Sequence, residues 1–409
     1  MNSLKKAISI CLSAAVISGG TLIPVKAAET SSVALSKDGV AFRMGLIGDV
    51  HISDTGAFTD YMEQAVETLN TVGGIDVYGF TGDLISYDSA VTEAPYDYLN
   101  EILAEGNISN TAEGATPYIY AMGNHEYIHS DANKETCAQA TEMFETKMGH
   151  SVDYHQEYKG YHVIAGGAHS YQFMWSDGEF NANEEWIMSE IEAIEAEEDY
   201  SPDKPIFLIM HLPITDSVLR GITTISDRYS SEFKEFLSSR PNIVQISGHY
   251  HMAAQYPQTI CQDLGYTAFQ APVTSAVGTQ DKHQVSFIDV TTDNKVRIYK
   301  IDIATGQYIG QPWEIDIPEG KDSFKYTDEI RSSNTQTPVL NDNDKITFSD
   351  IYYYSATFDF PIGSIEQKNG QQDNYVRSHR ITVTDKESGE VVNQISYDAD
   401  FWMVPQPKT

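Results

Sequence analysis

Five of the chain's 12 histidines share a setting that the other seven lack. His51, His125, His211, His249 and His251 each follow closely on a short apolar run. They sit in the clusters Asp49-Val50-His51, Gly123-Asn124-His125-Glu126, His211-Leu212-Pro213 and Gly248-His249-Tyr250-His251, with Gly82-Asp83 as a fifth cluster that has no histidine. Alone, a Gly-Asp pair is most often only a turn, and a single histidine at a strand end is often merely exposed. Together they amount to more. Asp49, Asp83, Asn124 and three or four imidazoles make a mixed oxygen and nitrogen donor set, which suits Zn, Mn or Fe rather than Ca. It is too many donors for one tetrahedral ion with an open position. It suits two ions that share a carboxylate, as in two-metal hydrolytic sites. In extended backbone, residues i and i+2 face the same way, so His249 and His251 are expected to point into one cavity.

Something must hold these clusters together, and the runs before them indicate what. Residues 42–47 lead into Gly48, 75–80 into Thr81, 117–122 into Gly123, 205–210 into His211 and 242–247 into Gly248. They are rich in Val, Ile, Phe and Tyr. Near-continuous apolar strands are expected where helices cover both faces of a sheet. Helical patterns lie between the runs. Phe58, Met62, Ala65, Val66 and Leu69 form one apolar stripe, which Gly73-Gly74 can end. Trp186, Ile187, Ile191 and Ile194 form another, and the glutamate run at 190–198 reads as its solvated face. Strands alternating with helices predict an α/β layered core. The ligand crevice of such sheets lies at the carboxyl ends of the strands, where every cluster falls.

The ordered set resembles the calcineurin-like metallophosphoesterases, within the superfamily of purple acid phosphatase-like and Ser/Thr phosphatase-like proteins. Their blocks are Asp-x-His, Gly-Asp, Gly-Asn-His-Glu/Asp, a lone His and Gly-His-x-His, and all stand here in order over about half the chain. The resemblance implies an α/β fold: a layered metallophosphoesterase β-sandwich flanked by helices. It implies two divalent or mixed-valence ions (Mn, Fe or Zn). Asp49, His51 and His251 would hold the first, Asn124, His211 and His249 the second, and Asp83 would bridge them. Asn124 and His125 would meet the substrate, with His125 the non-ligand catalytic imidazole facing the scissile phosphate, and Glu126 would stand behind the ligands. Two cations neutralise phosphoryl oxygens and lower the pKa of a shared water toward about 7, which places a bridging hydroxide for in-line attack. His125 has a side chain whose ordinary pKa suits protonating the leaving oxygen.

Neighbouring residues read more blandly. His129 is expected to be a surface-loop residue and His169 a structural histidine. Tyr250, between two ligands, is expected to turn away into the core. Arg220 could clamp a phosphate oxygen, but an ordinary surface pair is the expectation.

The chain of 409 residues carries 26 Lys and Arg against 59 Asp and Glu, a net charge of -33. Such acidity repels extended polyanions, so nucleic acid is not an expected partner. A small phosphoester drawn in by metal charge is. Residues 1–28 resemble a signal peptide: Lys5 and Lys6 precede an apolar stretch, and Val25-Lys26-Ala27-Ala28 offers small residues for cleavage. The expectation is a secreted or cell-surface protein with no stable membrane insertion after cleavage. Cys137 and Cys261 are then the remaining cysteines, either bridged or simply buried.

The expected organisation is a catalytic domain at 36–304, closed by a hairpin at 284–303, then a linker at 305–337 rich in Gly, Pro and charge. Residues 338–409 carry β-patterned runs (345–349, 352–360, 376–384 and 391–397) that resemble part of a fibronectin type III sandwich. Such a module takes about 90–100 residues and about seven strands. The chain is therefore expected to stop within it. Surface or carbohydrate contact is its expected role. The function expected overall is a secreted dinuclear-metal phosphoesterase acting on mono- or diesters. The rival is a non-catalytic binding or adhesion protein on the same fold, which loss of a ligand or of His125 would favour; neither is lost.

Overall fold

The computed structural model describes residues 33–86, 89, 91–127, 134–168, 183–219, 229–254, 256–275, 283–333, 347–349, 357–359 and 378–398. The signal-like segment, His129, His169, Arg220 and most of residues 338–409 lie outside these residues.

The chain divides into two compact units, of which Thr30–Ser333 holds every motif cluster. Its elements run β1 (Val40–Ile47), α1 (Thr59–Val72), β2 (Val77–Phe80), α2 (Glu93–Glu105), β3 (Tyr118–Tyr120), α3 (Lys134–Met148), β4 (Asp153–Tyr158), β5 (Tyr161–Gly166) and α4 (Glu184–Glu195). They continue β6 (Ile206–Met210), α5 (Ser231–Ser238), β7 (Ile243–Ser247), β8 (Ile260–Cys261), β9 (Thr267–Gln270), β10 (Gln284–Thr291), β11 (Lys295–Asp302), β12 (Gln307–Tyr308), β13 (Trp313–Asp316) and α6 (Asp328–Ser333). One sheet has the order β12-β11-β10-β1-β2-β3, with β13 also on β11, and the other the order β4-β5-β6-β7-β9-β8. The α/β fold expected from the sequence is present.

Both faces of the central strands are buried, but the covers differ from face to face. Phe42, Met44 and Leu46 alternate along β1 into a core shared with Val163 and Ala165 of β5, Phe207 and Ile209 of β6, and Val244 and Ile246 of β7. The rings of Phe42 and Phe207 stack there at 5.8 Å. That face is covered by the other sheet and not by helices. The opposite face of β1 meets α1: a Cβ at Gly45 would lie 3.1 Å from Leu69 Cδ1. Met62, Ala65, Val66, Leu69 and Val72 are the buried stripe of α1, and the Gly73 N–H closes its end onto the Leu69 carbonyl.

The pairing of β1 and β2 is parallel and in register from Met44↔Val77 to Ile47↔Phe80, so both strands end at the same level. β6 and β7 likewise run parallel in the second sheet. Strands β10 and β11 form the expected hairpin, which completes the first sheet against β1. Arg43 of β1 lies opposite Asp289 of β10 and donates to both of its carboxylate oxygens, at 2.6 and 2.8 Å. Its remaining donors reach the carbonyls of Leu35, Ser36 and Gly73. A buried guanidinium is tolerated because it is fully satisfied.

Within 305–333, β12 and β13 pair onto β11 and α6 follows. Cys137 and Cys261 are both buried and are not bridged to one another. In the other unit, β14 (Thr347–Ser349) pairs antiparallel with β15 (Thr357–Asp359), and β16 (Ser378–Thr384) with β17 (Val391–Asp398). Among the described residues no helix is long and apolar enough to cross a membrane.

Candidate metal centre

The chain leaves β1 and β2 through Gly48-Asp49-Val50-His51 and Thr81-Gly82-Asp83, and the two loops lace together. The Asp49 N–H donates to the Gly82 carbonyl (3.0 Å), and the Val50 and His51 N–H groups both donate to the Asp83 carbonyl (2.9 and 3.0 Å). From β3 the loop Gly123-Asn124-His125-Glu126 crosses the same end. The His125 N–H donates to Asp83 Oδ1 at 2.7 Å. From β7, the His249 N–H donates to Asp49 Oδ1 at 2.9 Å. Backbone groups therefore fix both carboxylates before any side-chain partner is counted.

Two glycines are demanded by this closeness. A Cβ at Gly82, where φ is +96°, would lie 2.5 Å from His211 Nδ1, and one at Gly123 would lie 2.4 Å from Asp83 Oδ1. No other residue type could stand there without moving a ligand.

The side chains form two donor groups. Asp49, His51, Asp83 and His251 each bring a donor atom within 4.8 Å of the others, and so do Asp83, His211 and His249. Asp83 belongs to both. Asn124 joins the second group, its Oδ1 accepting from His211 Nε2 (2.9 Å) and lying 3.0 Å from His249 Nδ1. The structure thus brings all seven sequence-derived ligand candidates into one site. His125 lies at the junction, its Nδ1 3.2 Å from His51 Nδ1 and its Nε2 3.8 Å from Asp83 Oδ2.

The two imidazoles of the β7 loop reach the site in a different way from strand alternation. β7 ends at Ser247, and His249 and His251 both have left-handed backbone, with φ of 78° and 50°. They also serve different groups. Tyr250 between them is half-exposed and packs its ring on His249 at 5.4 Å, not in the core.

Behind the ligands stands Glu126. Its carboxylate is fully buried and accepts from the N–H groups of Asp83 (3.0 Å), Ile85 (3.1 Å) and Gly123 (2.7 Å) and from Tyr120 O–H (2.5 Å). One side chain therefore ties the β2 loop to the β3 loop. Tyr120, the Thr81 carbonyl that accepts from His211 Nδ1 (2.8 Å), and Ser275, whose hydroxyl donates to the Asp49 carbonyl (3.0 Å), are supports that the motif reading did not include. Tyr120 comes from a strand and Ser275 from a distant loop, and Thr81 adjoins the Gly82-Asp83 pair but acts only through its carbonyl.

Burial decides the protonation states. It pushes His51 and His249 down to about 3 and His125 down to about 4, leaving neutral imidazoles. At His211 burial acts the same way, but the Asp83 charge and hydrogen bond outweigh it and hold the ring up to about 9. Burial works against the Asp83 carboxylate too, and the surrounding imidazoles hold it well below the ordinary carboxylate range. For Glu126, burial and the Asp83 charge push it up to about 7.

The donor set fits divalent metal. Asp49 Oδ2 is buried without a hydrogen-bond partner, a position that is costly unless a cation meets it. Nitrogens face nitrogens at 3.1 Å between His51 and His251 and at 3.3 Å between His249 and His211. Ring nitrogens set this close are placed to share one cation as co-ligands.

Residues 42–253 match the family described as calcineurin-like phosphoesterase. No curated protein matches the chain. Among solved structures, a dimetal phosphatase from Danio rerio is similar at 12% identity and a TM-score of 0.44, covering 68% of this chain and 99% of that one. The purple acid phosphatase PPD1 from yellow lupin (Lupinus luteus) seeds is similar at 14% identity and a TM-score of 0.44, covering 67% of this chain and 53% of that one. GAP50, the anchor in the inner membrane complex of Plasmodium, shows 12% identity and a TM-score of 0.42, with 71% and 91% covered.

Proposed function

The chain belongs to the calcineurin-like phosphoesterase family, metal-dependent phosphoester hydrolases, and from that premise we propose a secreted enzyme that hydrolyses small phosphomonoesters or phosphodiesters at a two-metal centre. The observation that carries the reading is Asp83, the one carboxylate common to both donor groups. Asp49, His51 and His251 would hold one ion, His211, His249 and Asn124 the other, and Asp83 would serve both. When bound, the two ions neutralise the phosphoryl oxygens and lower the pKa of water.

The remaining tasks fall to the chain itself. Asn124 Oδ1 stands 2.9 Å from His211 Nε2, so the two would offer donor atoms to the same ion. Glu126 fixes the backbone of Asp83 through the Asp83 N–H, and the Thr81 carbonyl sets the tautomer and tilt of His211. His125, whose side chain keeps 15% of its surface open at the junction of the groups, faces the substrate and, neutral as burial leaves it, donates a ring N–H hydrogen bond to the leaving ester oxygen. Asn124 and His125 together orient the phosphoryl group. The acidic surface is no obstacle, because nearby metal charge outweighs distant carboxylates.

Secretion is supported by the pattern at residues 1–28, and N-terminal sequencing of the exported protein is expected to begin at or next to Glu29. Residues 338–409 serve attachment to a surface or carbohydrate. Mn, Zn and Fe all suit the donors. The test is a panel of phosphate mono- and diesters assayed with each metal against a chelator control. Turnover restored by metal on one ester class supports the reading and identifies the class. No turnover on any ester with any of the three metals would refute it.

A further inference from the structure

Phe58 belongs by its spacing to the apolar stripe of α1, yet the fold keeps it out of the core. It precedes the helix in left-handed backbone, with φ of 70°, and is half-buried, whereas Met62, Ala65, Val66, Leu69 and Val72 are buried. A bulky side chain at positive φ is an outlier, and it persists only where the surroundings over-determine it. Here the turn that leads from His51 to Phe58 is pinned. The Ser53 N–H donates to the Ala57 carbonyl (3.2 Å), the Ala57 N–H donates to Ser53 Oγ (3.2 Å), and the Asp54 N–H donates to Ser89 Oγ (3.2 Å).

Instead of filling the core, the ring stacks. The centroids of Phe58 and Tyr61 lie 6.0 Å apart with 24° between the planes, and Tyr61 lies on His283 at 4.1 Å and 17°. One ring comes from the loop after His51, one from the first turn of α1 and one from the residue before β10, and all three are half-buried. Thr274 joins this ladder to the metal centre. Its carbonyl accepts from His283 Nδ1–H (3.3 Å), and its N–H donates to the Gly48 carbonyl (3.2 Å) beside Asp49. β10 runs antiparallel to β1, with Ser286 opposite Leu46, so it begins where β1 ends. α1 begins at that end too, which sets the ladder at the rim of the metal centre.

Packing does not account for the arrangement, because the buried stripe of α1 is complete without Phe58. Near-parallel rings with part of their surface open are what a flat aromatic ligand recognises, through stacks that tolerate a range of offsets. Building on the phosphoesterase reading, whose substrate class it narrows, we propose that Phe58, Tyr61 and His283 form a stacking subsite for a flat aromatic group, such as a nucleobase, carried by the phosphoester. The metal centre acts on the phosphoryl group, and the ladder selects what that group is attached to.

AMP and ribose 5-phosphate share the phosphoryl group and the leaving oxygen and differ by the base, so their ratio of kcat/KM on metal-loaded, full-length protein isolates the subsite. Wild type is expected to prefer AMP by about 5–150-fold, the range for one base on an aromatic face. Phe58→Leu/Tyr61→Leu keeps apolar bulk, removes two aromatic faces and is expected to bring the ratio close to unity. Phe58→Tyr keeps the face and is expected to keep the preference. A wild-type ratio near unity, or a preference that survives the double variant, would overturn the proposal and leave the phosphoesterase reading standing. Adenosine, which has no phosphoryl group, gives a readout free of turnover: saturation transfer from the protein to its adenine protons is expected in wild type and is expected to be lost in the double variant. Turnover of neither ester would count against the phosphoesterase reading, and the adenosine signal would then decide the subsite alone. Its absence from wild type, or its persistence in the double variant, would overturn the subsite.

Discussion

Asp49, His51, Asp83, His249 and His251 stand in left-handed backbone on the loops that leave the strands, whereas His155 and His162 stand in ordinary extended backbone on a hairpin. Both regions set imidazoles against imidazoles and carboxylates, yet they are held in opposite ways. In the metal centre, five non-glycine residues at positive φ cost about 1–3 kcal/mol each and persist only because the surroundings over-determine them. Here the surroundings are laced loop backbones, the Glu126 carboxylate and glycines that admit no Cβ. On the hairpin, register and a helix face bring His155, His162 and Glu190 together without strain. Strained donors on laced loops give a centre fixed before any ligand arrives, and relaxed ones on a hairpin give a cluster that a side-chain rotation can dismantle.

That difference can be broken or sharpened by substitution. Asp83→Ala removes the carboxylate shared by both donor groups, and turnover is expected to fall to that of the chelator control, with metal lost as well. His125→Ala is expected to retain metal and lose about 10²–10³ in kcat, the usual cost of removing one hydrogen-bond donor to the developing charge. Glu126→Gln replaces an acceptor of four hydrogen bonds with an amide that must turn its NH2 toward donors. Metal affinity or activity is expected to fall by about 10–100-fold, measured by metal competition and by kcat/KM. His155→Ala/His162→Ala is expected to change kcat/KM by no more than about twofold. A large loss from that last variant would mean that the two regions are coupled and the contrast is false.

How much could be read in advance follows from the same contrast. The strand-end clusters are contiguous words such as Gly123-Asn124-His125-Glu126, because a loop that turns back on a metal must supply its donors and its glycines within a few residues. The strands before them were legible from apolar runs, and α1 and α4 from their stripes. What covers each sheet face was not: the runs look alike whether a helix or a second sheet lies above them, and only the alternation of Phe42, Met44 and Leu46 against β6 and β7 distinguishes the two. His249 and His251 do reach one site, but through left-handed backbone, because strand alternation stops at Ser247. Tyr120, Thr81 and Ser275 support the site from residues of no distinctive spacing. His155 and His162 are seven positions apart and meet only through hairpin register, while Glu190, which accepts from His155, looked like part of a solvated run until α4 was laid on that face.

The central claim is that two ions share Asp83 while His125 acts without holding either. It is tested most directly by counting metal per chain, alongside kcat, in wild type, Asp83→Ala and His125→Ala purified in parallel. Wild type is expected to hold two ions at the centre, His125→Ala two with little turnover, and Asp83→Ala to show a marked loss of both metal and turnover. Equal loss of metal in the two variants, or a full complement of metal in Asp83→Ala, would contradict it.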